Sequence, residues 1–157
     1  MSLMLKVTLV AVGRARGGPE AALVEDYVRR LRWPFTLVEV QARKATLQGE
    51  ALKAEEAAAI HAKLPQGAAL VALDERGRLL DSRGFASALG GFAESGRREV
   101  ALVIGGADGL DASLRDQADL VLALGRLTFP HMLVRALIAE QIYRAQTILD
   151  GHPYHRD

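Results

Sequence analysis

A chain of 157 residues, half of them hydrophobic, is long enough for one domain with a real core and too apolar to be disordered. It contains no cysteine, which removes disulfides, thiolate catalysis and cysteine metal sites. A net charge of +1 gives no whole-chain field for a polyanion, and no apolar run approaches the roughly 20 residues of a membrane span.

The chain is read as a single domain over 1–157. It opens with "MSLMLKVTLVAVG", which is apolar but has no basic leader and no small-residue cleavage site. It alternates like a strand, so a signal peptide is rejected and a cytosolic location is expected. Met4 is read as a second candidate start, with Met1 to Leu3 then a cloning scar. Leu5–Gly13 is β-branched, ends on glycine and predicts a strand. Pro19 suits a first helical turn, and Leu23, Val24, Tyr27, Val28 and Leu31 follow at helical spacing. Phe35–Val40 predicts a second strand, and Gln41–Glu50 a polar, variable loop. The alanine- and glutamate-rich stretch from Glu50 to Leu64 has high helix propensity and stops at Pro65 to Gly67.

Ala68–Asp74 is a short continuous apolar run, as in a buried strand, and "ERGR" after it predicts a turn. Ser82 is a candidate cap for a helix through Phe85, Leu89 and Phe92. Glu99–Gly106 predicts another buried strand, Ala112 to Gln117 a short helix, and Ala118–Leu124 a last strand. A long helix then follows, with Thr128 as candidate cap, Pro130 early in its first turn and Gly151 as its stop. Strands alternate with helices throughout. The fold class is therefore α/β, a mostly parallel sheet with helices on both faces. In the last helix Met132, Leu133, Val134, Ala136, Leu137, Ile138, Ile142 and Tyr143 cover more than one face. Burial on several sides points to its own core or to a second subunit, and an isologous homodimer is the commonest such arrangement.

Three stretches can carry chemistry. "VIGGADGL" (Val103–Leu110) puts glycines directly after a buried strand, where backbone can approach a ligand closely. Its spacing is neither GxGxxG nor a P-loop, which disfavours an ordinary dinucleotide or triphosphate site. The plain alternative is a tight strand–helix turn. "LGRLTFPH" (Leu124–His131) also leaves a buried strand and can wrap an adenine by main-chain bonds and apolar contact, or simply connect two elements. The tail "GHPYHRD" (Gly151–Asp157) holds His152, His155 and Asp157. Three ligands on seven terminal residues do not make a pre-organised metal site, so no metal is expected, and a frayed end is the bland alternative. Arginine clusters at Arg14 and Arg16, Arg29 to Arg32, Arg43-Lys44 and Arg97-Arg98 read first as solvated surface.

Taken together, "LVAVGR", "VIGGADGL", "LTFPHMLVRALIAEQIYRA" and the terminal "HPYHR" resemble the RlmH-type 23S rRNA pseudouridine methyltransferases of the SPOUT superfamily over nearly the whole length. The resemblance implies an S-adenosylmethionine-dependent enzyme that methylates N3 of a pseudouridine in a stem-loop of 23S rRNA on the assembled ribosome. It also implies a homodimer with a C-terminal trefoil knot, which no periodicity shows and which the general rarity of knots argues against. Carried over by position, the cofactor pocket includes Leu73, Gly105 with Gly106 beside it, and Leu124, Gly125, Arg126, Leu127, Thr128 and Phe129. Asp108 is given no role.

Methyl transfer to N3 needs the base held and its proton removed. The tail supplies the catalytic candidates: Arg156 for a phosphate or base carbonyl, Tyr154 to stack on a flipped base, and His155 as proton acceptor. His131 is an alternative acceptor. Glu140 and Arg144 have the i,i+4 spacing of an ion pair. Two rival readings are a nucleotide-binding α/β protein of another class and a non-catalytic ribosome-associated factor.

Overall fold

A computed structural model of the chain describes residues 3–44 and 46–157. Strand and helix alternate along it: β1 (Lys6–Val12), α1 (Pro19–Arg30), β2 (Phe35–Val40), α2 (Gly49–His61), β3 (Ala69–Leu79), α3 (Ser82–Glu94), β4 (Glu99–Ile104), α4 (Ala112–Gln117), β5 (Leu120–Ala123) and α5 (His131–Asp150). The strands form one parallel sheet in the order β2-β1-β4-β3-β5. Val7 pairs with Phe35 on one side and Val100 on the other, and Val71 pairs with Leu102 and Leu120.

Alternation along the strands feeds two cores, because successive side chains point to opposite faces. Leu5, Val7, Leu9 and Ala11 pack with Trp33, Phe85 and Leu89, and with Ile138, Ile142 and Ala145 of α5. Val10, Val12, Ala72 and Val103 pack on the other face with Ala57 and Ile60 of α2 and Leu114 of α4. A sheet covered on both faces explains the near-continuous apolar runs of β1, β3 and β4. α5 lies against both α1 and α3, and Val24 meets Ala136 and Ala139 at the α1 contact. The several-sided burial of α5 is thus met within the chain for Ala136, Ile138, Ala139 and Ile142, while Met132, Leu133, Leu137 and Tyr143 stay partly exposed. Gln146 is buried and its Oε1 accepts the N–H groups of Arg32 and Trp33, tying the end of α1 to α5.

Three local expectations change. "ERGR" does not end the strand: β3 runs on to Leu79, and both Leu73 and Arg78 pair with Leu122 across an irregularity. Gly77 permits this, because a Cβ there would lie 2.7 Å from backbone atoms of Val121 and Leu122. Asp81, not Ser82, caps α3 by accepting the Gly84 N–H, while the Ser82 hydroxyl donates to Gln141 Oε1 of α5. Thr128 does not cap α5: the cap position is Pro130, without a side-chain bond, and Gly151 closes the helix in the left-handed conformation as expected.

Candidate active site

The carboxyl ends of β3, β4 and β5 open into one cleft of about 260 Å³. Its apolar walls include Leu73, Ile104, Leu122, Leu124, Phe129 and Val134. The glycine loop after β4 folds back on itself, with Gly106 bridged to Gly109. Gly105 makes that fold possible: a Cβ there would meet the Gly109 carbonyl at 2.7 Å and the Leu110 nitrogen at 2.9 Å. Such a tight loop leaves backbone open to a ligand where side chains would fill the space.

The cleft gathers Leu73, Gly105, Gly106, Leu124, Gly125, Leu127, Thr128 and Phe129 from the expected set. Arg126 is exposed and is not part of the lining. The polar lining adds Lys53, Asp74, Glu75, Arg76, Asp108, Arg115 and His131, of which only His131 was expected to have a site role. The Asp74 carboxylate is nearly buried and lies 3.6 Å from the Arg115 guanidinium, which also donates to the Leu110 carbonyl. The cleft therefore has an apolar end formed by the β5–α5 connection and a polar end carrying both signs of charge. That combination suits an amphiphilic ligand with an apolar body and a zwitterionic head.

One buried carboxylate behind the glycine loop escaped the sequence reading. Glu56 of α2 is 8% exposed, and its Oε1 has no hydrogen-bond partner among the described residues. Its Oε2 lies 2.9 Å from where a Gly106 Cβ would stand. Burial pushes the Glu56 carboxyl above its usual range, and the negative charge of Asp108 adds to the rise.

The tail lies away from this cleft and against the C-terminal half of α5. The Tyr154 hydroxyl donates to Glu140 Oε2 at 3.0 Å, its ring meets Tyr143 edge-on at 4.7 Å, and the Arg144 guanidinium sits 4.8 Å from the ring centre. Burial first, then the bond to Glu140, pushes the Tyr154 phenol up to about 12. Arg144 holds Glu140 at 2.8 Å, the pair its spacing suggested, and its Nη1 lies 3.0 Å from His155 Nδ1. His155 Nε2 lies 3.2 Å from Asp157, whose two oxygens accept from Arg83 of α3. His152 Nδ1 accepts the Tyr154 N–H, so the tail's histidines are engaged with the protein itself. Arg156 is exposed.

Comparison with known proteins supplies the family. A family model described as "Predicted SPOUT methyltransferase" matches residues 5–155. A protein of Rhodospirillum centenum named "Ribosomal RNA large subunit methyltransferase H" is 57% identical over 152 residues, spanning 97% of this chain and 99% of its own length. A protein of the same name from Rhizobium etli is 50% identical, again over 97% and 99%. Among solved structures, a "Probable Methyltransferase from Bordetella pertussis Tohama I" shares 17% identity at a TM-score of 0.60, covering 90% of this chain and 96% of that one. A "probable methylase family protein from Haemophilus influenzae" shares 13% at 0.59, covering 98% and 71%. At those identities the likeness is one of fold. The sequence match is of another order, running from the first strand to the tail, and by it the chain belongs to the SPOUT methyltransferase family.

Proposed function

We propose that the chain is an S-adenosylmethionine-dependent methyltransferase that acts on N3 of a pseudouridine in a stem-loop of 23S rRNA. It works in the cytoplasm on the assembled ribosome, as a homodimer. The observation that carries the reading is the cleft at three strand ends in a chain 57% identical, over nearly its full length, to a ribosomal RNA large subunit methyltransferase H. The cleft fits the cofactor: a glycine loop too tight for a Cβ at Gly105, apolar walls for an adenosyl group, and charges of both signs for a zwitterion. When bound, the cofactor supplies a methyl group on a sulfonium.

Leu73, Leu124 and Phe129 would hold the adenosyl part, with the backbone of Gly125, Leu127 and Thr128 around the base and Gly105 and Gly106 beneath. Arg126 would contribute its backbone position, since its side chain lies outside the lining. Asp74, Lys53 and Arg115 would orient the amino-acid head. The chain's own work is then to hold the target base and receive its N3 proton. His155 is the proposed acceptor and Arg156 the contact to phosphate or base carbonyl. A phenol with its acidity pushed to about 12 keeps its proton at neutral pH, so Tyr154 serves as a donor or stacking surface and not as a base.

The tail is assigned to the partner's cleft. α5 has 20 residues and spans roughly 30 Å, with its own cleft at the first turn and the tail leaving the last. Among the described residues the tail's bonds reach Glu140, Arg144, Thr147 and Arg83 and none of the cleft lining. The knot belongs to the same reading. α5 lies between α1 and α3, while β5 is the far edge strand beyond β3. The C-terminal half of β3 packs its backbone against β5 at Gly77, an intimacy that supports the threading which the resemblance implies.

Mass spectrometry of large-subunit rRNA after incubation of ribosomes with the protein and labelled cofactor tests the reading. One methyl group on N3 of a pseudouridine is the expected result; an unmodified rRNA overturns it. Binding to ribosomes without incorporation would favour the non-catalytic factor.

A further inference from the structure

A second cleft of about 340 Å³ lies against an adjoining face of the first turn of α5. It is within the size range of ligand pockets, roughly 300–1,000 Å³. Val24, Leu37 and Met132 give it an apolar surface, and Leu37, on the edge strand β2, is 37% exposed there. The two clefts are neighbours: His131 lines the first, Met132 and Arg135 line the second, and a Cβ on Gly13 would lie within 4 Å of all three residues.

Its floor is built and charged. Arg135 is 2% exposed, pairs with Glu39 at 2.6 Å and donates to the carbonyls of Val12 and Gly13. Its Nε–H has no acceptor among the described residues. Glu39 Oε2 also accepts the Ala15 N–H, so the pair of buried Arg135 and exposed Glu39 pins the start of the loop between β1 and α1. Arg14 and Arg16 flank that pinned residue. Both are exposed, line the cleft, and have no carboxylate within ion-pair distance among the described residues. Glu20 and Glu25 of α1 line the same cleft. Exposed cations, carboxylates and an apolar surface gathered in one cleft match one chemistry. A single-stranded nucleotide offers a phosphate to arginine, a base face to an apolar surface, and an amino group to a carboxylate.

We infer that this second cleft is a substrate subsite that takes an unpaired nucleotide of the RNA adjacent to the one being methylated, preferring a base with an exocyclic amine. The inference rests on the rRNA methyltransferase reading and extends it from the reacting base to its neighbour. Arg14 and Arg16 hold the neighbour's phosphates, which seats the target over the first cleft.

The test pairs two variants in methyl transfer to intact ribosomes. The double variant Arg14→Ala/Arg16→Ala, at exposed positions, is expected to raise KM about tenfold or more, because charge-assisted bonds to phosphate are removed. Turnover at saturation and cofactor affinity by calorimetry are expected to change by less than about threefold, on the same scale. The slope of log affinity against log salt is expected to fall by about 0.7 for each phosphate that is no longer neutralised. Ala21→Phe, which fills the cleft without touching its charge, is expected to raise KM with the salt slope intact. An unchanged KM in both variants overturns the inference. So does a fall in oligomeric mass in sedimentation by either variant, which would make the cleft an interface between copies. Should the wild type bind ribosomes without methylating them, the functional reading fails, and the ratio of variant to wild-type ribosome affinity still decides the cleft.

Discussion

At its first turn α5 faces the apolar end of a cleft built on glycine backbone; at its last it carries a tail whose polar groups are almost all paired. Around the cleft, glycines and the cap-less start at Pro130 leave surfaces uncovered. At the tail, Glu140, Arg144, Tyr154 and His155 form one connected set, and Asp157 ties it to Arg83 on α3. Two carboxylates carry the contrast. Glu140 accepts from Arg144, Gln141 and Tyr154, whereas the buried Glu56 beside the glycine loop has no partner for its Oε1 among the described residues. A polar network in a low-dielectric setting fixes geometry when every member is satisfied, and an open polar group marks a place still able to take a partner. The tail end is thus held, and the cleft end is receptive.

The largest effect is expected from separating the two ends. Removal of Tyr154 to Asp157 should lower methyl incorporation by about 10²–10⁴-fold, the range of a missing acid–base group, and leave cofactor affinity unchanged in calorimetry. Normal turnover by the truncated protein would break the assignment of chemistry to the tail. Next, Gly105→Val should weaken cofactor binding by about 100-fold, because displacing a close-packed loop costs roughly 1–3 kcal/mol and closes the site as well. A mixed dimer of these two variants sharpens the comparison. One subunit then has a working cleft and no tail, the other a tail and a blocked cleft. If each tail serves the partner, the mixture regains methylation that neither variant shows alone; an inactive mixture would mean that each tail serves its own subunit.

The same contrast explains what the sequence could disclose. β2 and α4 were legible to the residue, because their boundaries are set by local turn and cap chemistry. The cleft was legible in outline: glycines and short apolar runs mark strand ends, and strand ends in a parallel sheet mark where ligands sit. The extension of β3 was not. Glu75, Arg76, Gly77 and Arg78 are polar and read as a turn, and only the backbone of β5 lying against Gly77 makes a strand of them. Glu56 was missed because "KAEEAAAI" is an ordinary helical stretch, and what sets Glu56 behind the glycine loop is the distant Gly106. The tail's structure depends on partners 14 and 74 residues away, Glu140 and Arg83, which no local pattern announces. Chain threading has no periodic signature, so the knot enters only as an implication of the resemblance.

A smaller effect is expected from opening the satisfied carboxylate. Glu140→Gln removes a charge-assisted bond to Arg144 and weakens the Tyr154 bond, a cost of about 1–2 kcal/mol. The acidity of Tyr154 should move from about 12 back toward the ordinary phenol range, because the bond to Glu140 and its charge add to the effect of burial. In the wild type the folded state keeps the phenolic proton more tightly than the unfolded chain. Stability from this group is therefore fully present below the ordinary tyrosine range and is lost as pH rises toward about 12. Ultraviolet titration of the phenolate in the two proteins reads the shift; identical titrations would mean that burial alone sets it.

The smallest effect has the opposite sign, and it comes from the unsatisfied carboxylate. Glu56 is held above its usual acidity by burial and by Asp108, so the folded state binds its proton more tightly than the unfolded chain does. The stability linked to that proton is fully present below the ordinary glutamate range, where both states are protonated. As pH rises through and above that range the unfolded chain ionises first, and this stability is lost. Glu56→Gln removes the dependence. It should stabilise the protein by about 1 kcal/mol at neutral pH, a rise in Tm of about 2–4 °C for a chain of this size, with the gain shrinking in acid. Thermal melts of both proteins across pH check the sign. A variant less stable than the wild type at neutral pH would mean that the ionised carboxylate is partnered, and the contrast between a held tail and an open cleft would then fail at its most buried point.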